Sequence, residues 1–315
     1  MSLASWINLY EDHLVPRFLA TNPNPNLINY LKENKHMIDW PNLSKNPNAI
    51  EFLKENKHMI NWPNLCLNPH PEAIELIKNH HAYYLKLWQE KGRRIPYDMV
   101  LSWRNLSKNP YAIDFLKENP VCTYWAFQEP PYHPNQDDYD YESEYLKNLR
   151  PDNEISWESL SENPNPKAIK LLKKNPDKIV WPALSKNTSK RAIKLLRENP
   201  KKIYWSNASQ NPSAIDLIEE NLNKADWKQM SKNPKALHLF DENFYSCLFE
   251  VDWPYLSANP SAVHLLEQYR RKIDYRWLCK NPNGGDLLEK NIEYEFDKLD
   301  WNWLSENPCI FETNI

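Results

Sequence analysis

One pattern constrains this 315-residue chain more than any other feature, and the segment Ile179–Lys202, IVWPALSKNTSKRAIKLLRENPKK, carries it in full. It reads as an apolar residue, any residue, Trp, two residues, Leu-Ser, any residue, Asn-Pro, then Ala-Ile-x-Leu-Leu, and it returns along nearly the whole chain. Self-similarity at a short fixed period marks a repeat architecture, in which no unit can bury its apolar face alone. In-frame Trp residues stand at positions 40, 62, 103, 157, 181, 205, 227, 253 and 301, with Tyr275 filling one slot. Adjacent spacings are 22, 24 or 26 residues, apart from gaps of 41 and 54 that locate two insertions.

The copy at Asp39–Asn56 shows what one unit should be. Asp39 can cap a first short helix in which Pro41 is tolerated, and Trp40 and Leu43 share one face. Asn46 can cap a second helix, with Pro47 in its first turn, Ala49, Ile50 and Leu53 as the apolar stripe, and Glu51, Lys54 and Glu55 toward water. Helices this short are marginal alone, so each must stack on the next unit. The period is too short for tetratricopeptide or ankyrin units, and Asn-Pro before Ala-Ile reads as a helix start where a leucine-rich repeat needs a strand. The predicted fold is therefore all-α: an α-solenoid of about 10 to 11 two-helix units.

The ends and the insertions break the pattern. Leu19–Met37 is a degenerate first unit with Asn22-Pro23. Gly284-Gly285 stands where Ala-Ile belongs, and the unit from Leu299 stops near the start of its second helix. The last face of the stack is expected to lack a polar cap, shielded by Ile310 and Phe311 or left as a contact surface. The first insertion spans roughly 80–99, with Trp88 out of frame, and lengthens a loop or adds a helix. The second, about 120–154, is acidic and rich in Pro and Tyr. This divides the chain into N-terminal repeats (1–119), the acidic insertion (120–154) and C-terminal repeats (155–315).

Composition excludes several classes of function. With 3 glycines against 26 prolines, no Gly cluster can bring backbone close to a phosphate as Rossmann and P-loop sites require. A net charge of -3 sets up no global field toward nucleic acid or anionic membrane. The five cysteines are odd in number, widely spaced and free of CxxC pairs, which suits a reducing compartment. Sequons at Asn42, Asn105, Asn187 and Asn207 lie inside the repeat motif, where a glycan would obstruct stacking. No secretory h-region opens the chain and no run of about 18 apolar residues occurs, so neither secretion nor a membrane is expected. His80-His81 is the only adjacent histidine pair, and no metal-ligand spacing or nucleophile motif appears. No enzyme, cofactor, metal or small-molecule substrate is expected.

Two sets of side chains are candidates for binding. In the acidic insertion, Trp125, Phe127, Tyr132, Tyr139, Tyr141 and Tyr145 place aromatics among carboxylates, as protein-docking segments do. On the predicted second helices, Lys170, Lys173, Lys174, Lys190, Arg191, Lys194 and Arg197 would line up as a basic stripe able to contact RNA. A further series, Lys45, Lys108, Lys186, Lys232 and Lys280, follows the Leu-Ser step. Lys and Arg alternate with Glu and Asp at the outward positions, which also fits a merely solvated face.

The pattern W-x-x-L-S-x-N-P-x-A-I-x-L-L-x-x-N-P resembles the short Trp/Asn-Pro repeat proteins encoded in multiple copies by amoeba-infecting giant DNA viruses of the mimivirus group. The resemblance covers most of Leu19–Pro308 and departs at both insertions, at Thr188 in place of Pro, and at Gly284-Gly285. It implies a viral protein acting in the host cytoplasm or carried in the virion, and it supplies no catalytic residue. The expected function is that of a non-enzymatic scaffold holding a viral or host protein. RNA or ribonucleoprotein binding, for instance in viral mRNA translation, is the alternative.

Overall fold

The computed structural model describes residues 3–91, 99–119, 154–240 and 250–312. These residues form short helices and no multi-residue strand, as the repeat predicts. Among them no helix is long and apolar enough to cross a membrane.

Each unit is built as its residues dictate. In the Trp40 unit, Asp39 accepts the Asn42 N–H and starts a single helical turn, Trp40–Leu43. Asn46 accepts the Asn48 N–H and opens a 3-10 turn, Pro47–Ala49, that runs into the helix Ile50–Glu55. Asn56 closes that helix by donating its side-chain amide to Phe52 O at 2.8 Å. A 3-10 turn, Lys57–Met59, then delivers the chain to the next Trp helix. The fully buried apolar residues are the leucine three after the Trp (Leu43, Leu65, Leu106, Leu160, Leu184) and the Ala and Leu of the second helix. Only Trp62 and Trp103 of the repeat tryptophans are buried; the others are half-buried at the rim of the core, Trp40 against Phe52, Trp227 against Phe240 and Trp253 against Tyr269.

What joins unit to unit is polar. Asn22, Asn46, Asn68, Asn109, Asn163, Asn187, Asn211, Asn233, Asn259, Asn281 and Asn307 are all buried. Each Oδ1 takes the N–H two residues on, and each Nδ2 donates to backbone carbonyls of the preceding unit. Asn187, for example, donates to Ser161 O at 2.8 Å and Asn163 O at 2.7 Å, and accepts from Ser189 N at 2.9 Å. The serine two residues before this Asn adds a second link. Ser44 Oγ donates to Trp40 O and accepts the Asn61 N–H of the next unit at 3.0 Å. Cys66 and Cys279 stand in the same slot, their thiols donating to Trp62 O and Tyr275 O. Burial pushes both thiols up to about 12, so they are small packing groups.

The stack does not end in an exposed face. Asn22 of the first unit donates to Ser305 O at 3.0 Å and Asn307 O at 2.8 Å of the last unit. Val15 N donates to Ser305 Oγ at 2.9 Å, the link that every other serine of this slot makes to the unit after it. Pro16 therefore occupies the first unit's Trp slot and Ala20 its Ser slot, with the helix Pro16–Leu19 packed on the helix Trp301–Glu306. The expectation of an uncapped last face is thus corrected: the array closes on itself as a ring of eleven units.

The last unit is completed by the start of the chain. Its own strand of residues stops at Phe311, which pairs with Leu3, and Ala4 N donates to Ile310 O at 2.7 Å. The 3-10 segment Asn8–His13 then lies where other units have their second helix. Tyr10 and His13 pack on Trp301 with ring centroids 5.9 and 4.9 Å apart, as Phe52 packs on Trp40 at 5.3 Å. Leu3 and Ile7 are buried there, and the Tyr30 hydroxyl donates to Glu11 Oε1 at 2.6 Å.

The units on either side of the acidic insertion stack directly, since Asn163 donates to Ser107 O and Asn109 O. The insertion leaves the repeat without disturbing it. Within the described residues the first insertion prolongs a helix: the second helix of the Trp62 unit runs from Pro71 to Lys91.

Two outcomes follow. Asn211→Ala removes two buried donations and a turn cap and leaves two carbonyls bare; a loss of about 2–4 kcal/mol is expected in urea unfolding. Asn283→Ala, which removes one exposed bond to Pro260 O, should cost less than about 1 kcal/mol. Deleting residues 1–14 uncovers Trp301 and Phe296 and should produce concentration-dependent oligomers in size-exclusion chromatography; an unchanged monodisperse peak would contradict the split-unit closure.

Candidate functional site

The leucine, serine and asparagine of each Trp helix point into the stack, so its remaining positions form the free surface. These are the first and fifth residues after the Trp, with the second half-buried at their edge except where Ser159 and Ala183 are buried. Trp helices of successive units pack on one another more closely than the second helices do, which curves the array with the Trp helices on the inside. Their free surface is therefore the inner face of the ring. Helices in contact lie about 8–10 Å apart, so eleven of them put their axes about 15 Å from the ring centre.

The inner face differs in charge from the protein as a whole. At the first and fifth positions stand Arg17, Lys45, Arg104, Lys108, Lys186, Lys228, Lys232, Arg276 and Lys280, against Glu158, Glu162 and Glu306. The whole chain carries -3. Lys228 and Arg276 also reach the capping carboxylates Asp252 and Asp300 at 3.5 and 3.3 Å.

The second position is an amide in five units and aromatic in a run of four: Tyr255, Trp277, Trp303 and, across the closure, Phe18, with Arg17 over its ring at 4.6 Å. Asn64, Asn105 and Asn207 use it to donate to a proline carbonyl of the preceding unit at 2.9 Å. Tyr255, Trp277 and Trp303 stand there in consecutive units, half-buried. Tyr255 meets Trp277 edge-on at 5.2 Å, and Trp277 meets Trp303 at 5.1 Å. Cations lie on these rings: Lys232 over Tyr255 at 3.8 Å, Lys280 over Trp303 at 3.7 Å and Trp277 at 4.9 Å, and Arg276 over Trp303 at 5.2 Å.

The other candidates lie elsewhere. Trp125, Phe127, Tyr132, Tyr139, Tyr141 and Tyr145 fall outside the described residues. Lys170, Lys173 and Lys174 lie on the helix Pro166–Lys174, and Lys190, Arg191, Lys194 and Arg197 on the helix Lys190–Glu198, both on the outer layer. Lys173 pairs with Glu198 at 3.3 Å, Arg197 with Glu220, and Arg191 reaches Pro166 O at 3.5 Å. This stripe is exposed but interleaved with carboxylates. Trp277 and Trp303, which stand two residues after the Trp slot, belong to the inner aromatic run. A count of the residue two after each Trp slot, taken unit by unit, was the signal that could have found them.

His80 and His81 are core residues. His80 stacks on Trp62 at 3.6 Å and its Nε2–H donates to Met99 O at 2.6 Å. His81 meets Trp103 and Phe115 edge-on. Among the described residues no group of three metal-ligating side chains comes together. Comparison with protein families, with curated proteins and with solved structures gives no match.

Burial lowers the His80 imidazole to about 4 and holds His81 below its usual value. Between about pH 6.5 and 4 the unfolded chain binds a proton at His80 that the folded chain does not, so stability falls as pH falls through that window. Thermal melts should show this decline, and His80→Phe should flatten it. An equal decline in that variant would remove His80 as its source.

Proposed function

We propose that the protein is a non-enzymatic scaffold ring that holds RNA or a ribonucleoprotein on its inner face. The observation that carries this reading is the charge at the first and fifth positions of that face: nine cations, two of them paired with Asp252 and Asp300, against three carboxylates, in a chain that is acidic overall. A single-stranded polyanion fits the scale of such a ring, whose opening is roughly 20 Å across once about 5 Å of helix radius is taken from each side. His80 and His81 are packed neutral, and Cys66 and Cys279 hold their protons in the core. By the resemblance of its repeat, the ring would act in the cytoplasm of an amoeba infected by a giant virus, or in the virion. The protein-docking reading rests on the concave surface together with the acidic insertion, which lies outside the described residues.

Fluorescence anisotropy with labelled single-stranded RNA tests it. The triple variant Lys228→Ala, Lys232→Ala, Lys280→Ala should weaken binding at least tenfold and flatten the salt dependence by about one log-log slope unit per lost phosphate contact. Lys170→Ala, Lys174→Ala, Lys190→Ala and Lys194→Ala on the outer layer should change affinity less than threefold. Binding lost through the outer set alone would overturn the inner-face assignment.

A further inference from the structure

We infer that the arc Tyr255–Trp277–Trp303 is a stacking site for unpaired nucleobases, so that the ring prefers single-stranded RNA over duplex and over a polyanion without bases. This rests on the proposed RNA-binding role and adds to it the part of the ligand that is recognised. The three rings come from the same position of three consecutive units, which gives them the repeat's own spacing. A strand following the inner face would meet one ring per unit, and every base offers a π-face that stacks without regard to sequence.

The cations complete the arrangement. Lys280 and Arg276 rest on the ring faces with exposed side chains, and Lys232, half-buried, also donates to Gln229 Oε1 at 2.9 Å. Long flexible stems let the same groups swing to phosphates as a base takes the ring face. The preference for a polyanion at this arc comes from charge complementarity: Lys228 and Arg276 offset the capping carboxylates Asp252 and Asp300, which leaves Lys232 and Lys280 against Glu306.

The experiment compares three probes on the intact protein: single-stranded oligo-uridine, a duplex RNA of equal length, and inorganic polyphosphate of matched charge. Oligo-uridine should bind at least tenfold tighter than either of the others and should quench intrinsic Trp fluorescence. Trp277→Leu with Trp303→Leu should lower oligo-uridine affinity at least tenfold, and Trp277→Phe with Trp303→Phe should restore most of it. If all three probes bind wild type alike and without quenching, base stacking is overturned while the polyanion-binding ring stands. If none binds, both readings fail. Should the Leu pair fail to fold, the probe ranking and quenching of the wild type still decide.

Discussion

The buried asparagine after each Leu-Ser step is the interaction on which the rest of the structure depends. A Trp helix of one turn leaves most of its carbonyls without intrahelical partners, and stacking would strand them away from water. The next unit's asparagine donates to the carbonyls of the serine and asparagine that close this helix, as Asn68 does to Ser44 O and Asn46 O, and its own oxygen is taken by a backbone N–H two residues on. All three of its hydrogen-bonding functions are thereby used inside the core, the condition under which a buried polar group stabilises a fold. Other slots tolerate exchange: Pro16 and Tyr275 replace Trp, and Ala20, Cys66 and Cys279 replace Ser. The asparagine is present in all eleven units.

Much of this was legible in sequence, in a lopsided way. Asp39 and Asn46 could be read as caps because capping is a local property of residues a few positions apart, and both do cap. The inward donation of Asn46 to Ala20 O and Asn22 O was not legible, because a side-chain amide carries no sign of which distant carbonyl it will meet. Closure was hidden for the same reason. It is made by Pro16 and Ala20, which abandon the motif, and by Leu3 and Ile7, which lie outside it. The basic stripe on the helices around Lys170 and Lys190 was conspicuous as a run of letters, whereas the inner row is spread at intervals of about two dozen residues and becomes visible only once the units are superposed by the fold.

Division of labour between the two helices follows from curvature. The second helices sit on the longer outer circumference, where opposite charges such as Lys173 and Glu198 bridge neighbouring units at the surface. Exposed pairs of this kind add little stability, so the outer layer chiefly keeps the ring in water. The Trp helices sit on the shorter circumference, where side chains of consecutive units are brought close enough for Tyr255, Trp277 and Trp303 to touch. Binding chemistry concentrates on that side because curvature gathers it there.

A closed ring also fixes how such a gene can change. An open stack of repeats lengthens or shortens by one copy at its end, and each remaining interface is left as it was. Here one added copy would alter the angle between every pair of neighbours, and every Nδ2 would have to find its two carbonyls at a new inclination. Excursions such as the one between Asn119 and Ser156 escape this restriction, because they leave and rejoin at a single interface. Novelty in this lineage is therefore expected to accumulate as insertions between units, with the tally of eleven held by geometry.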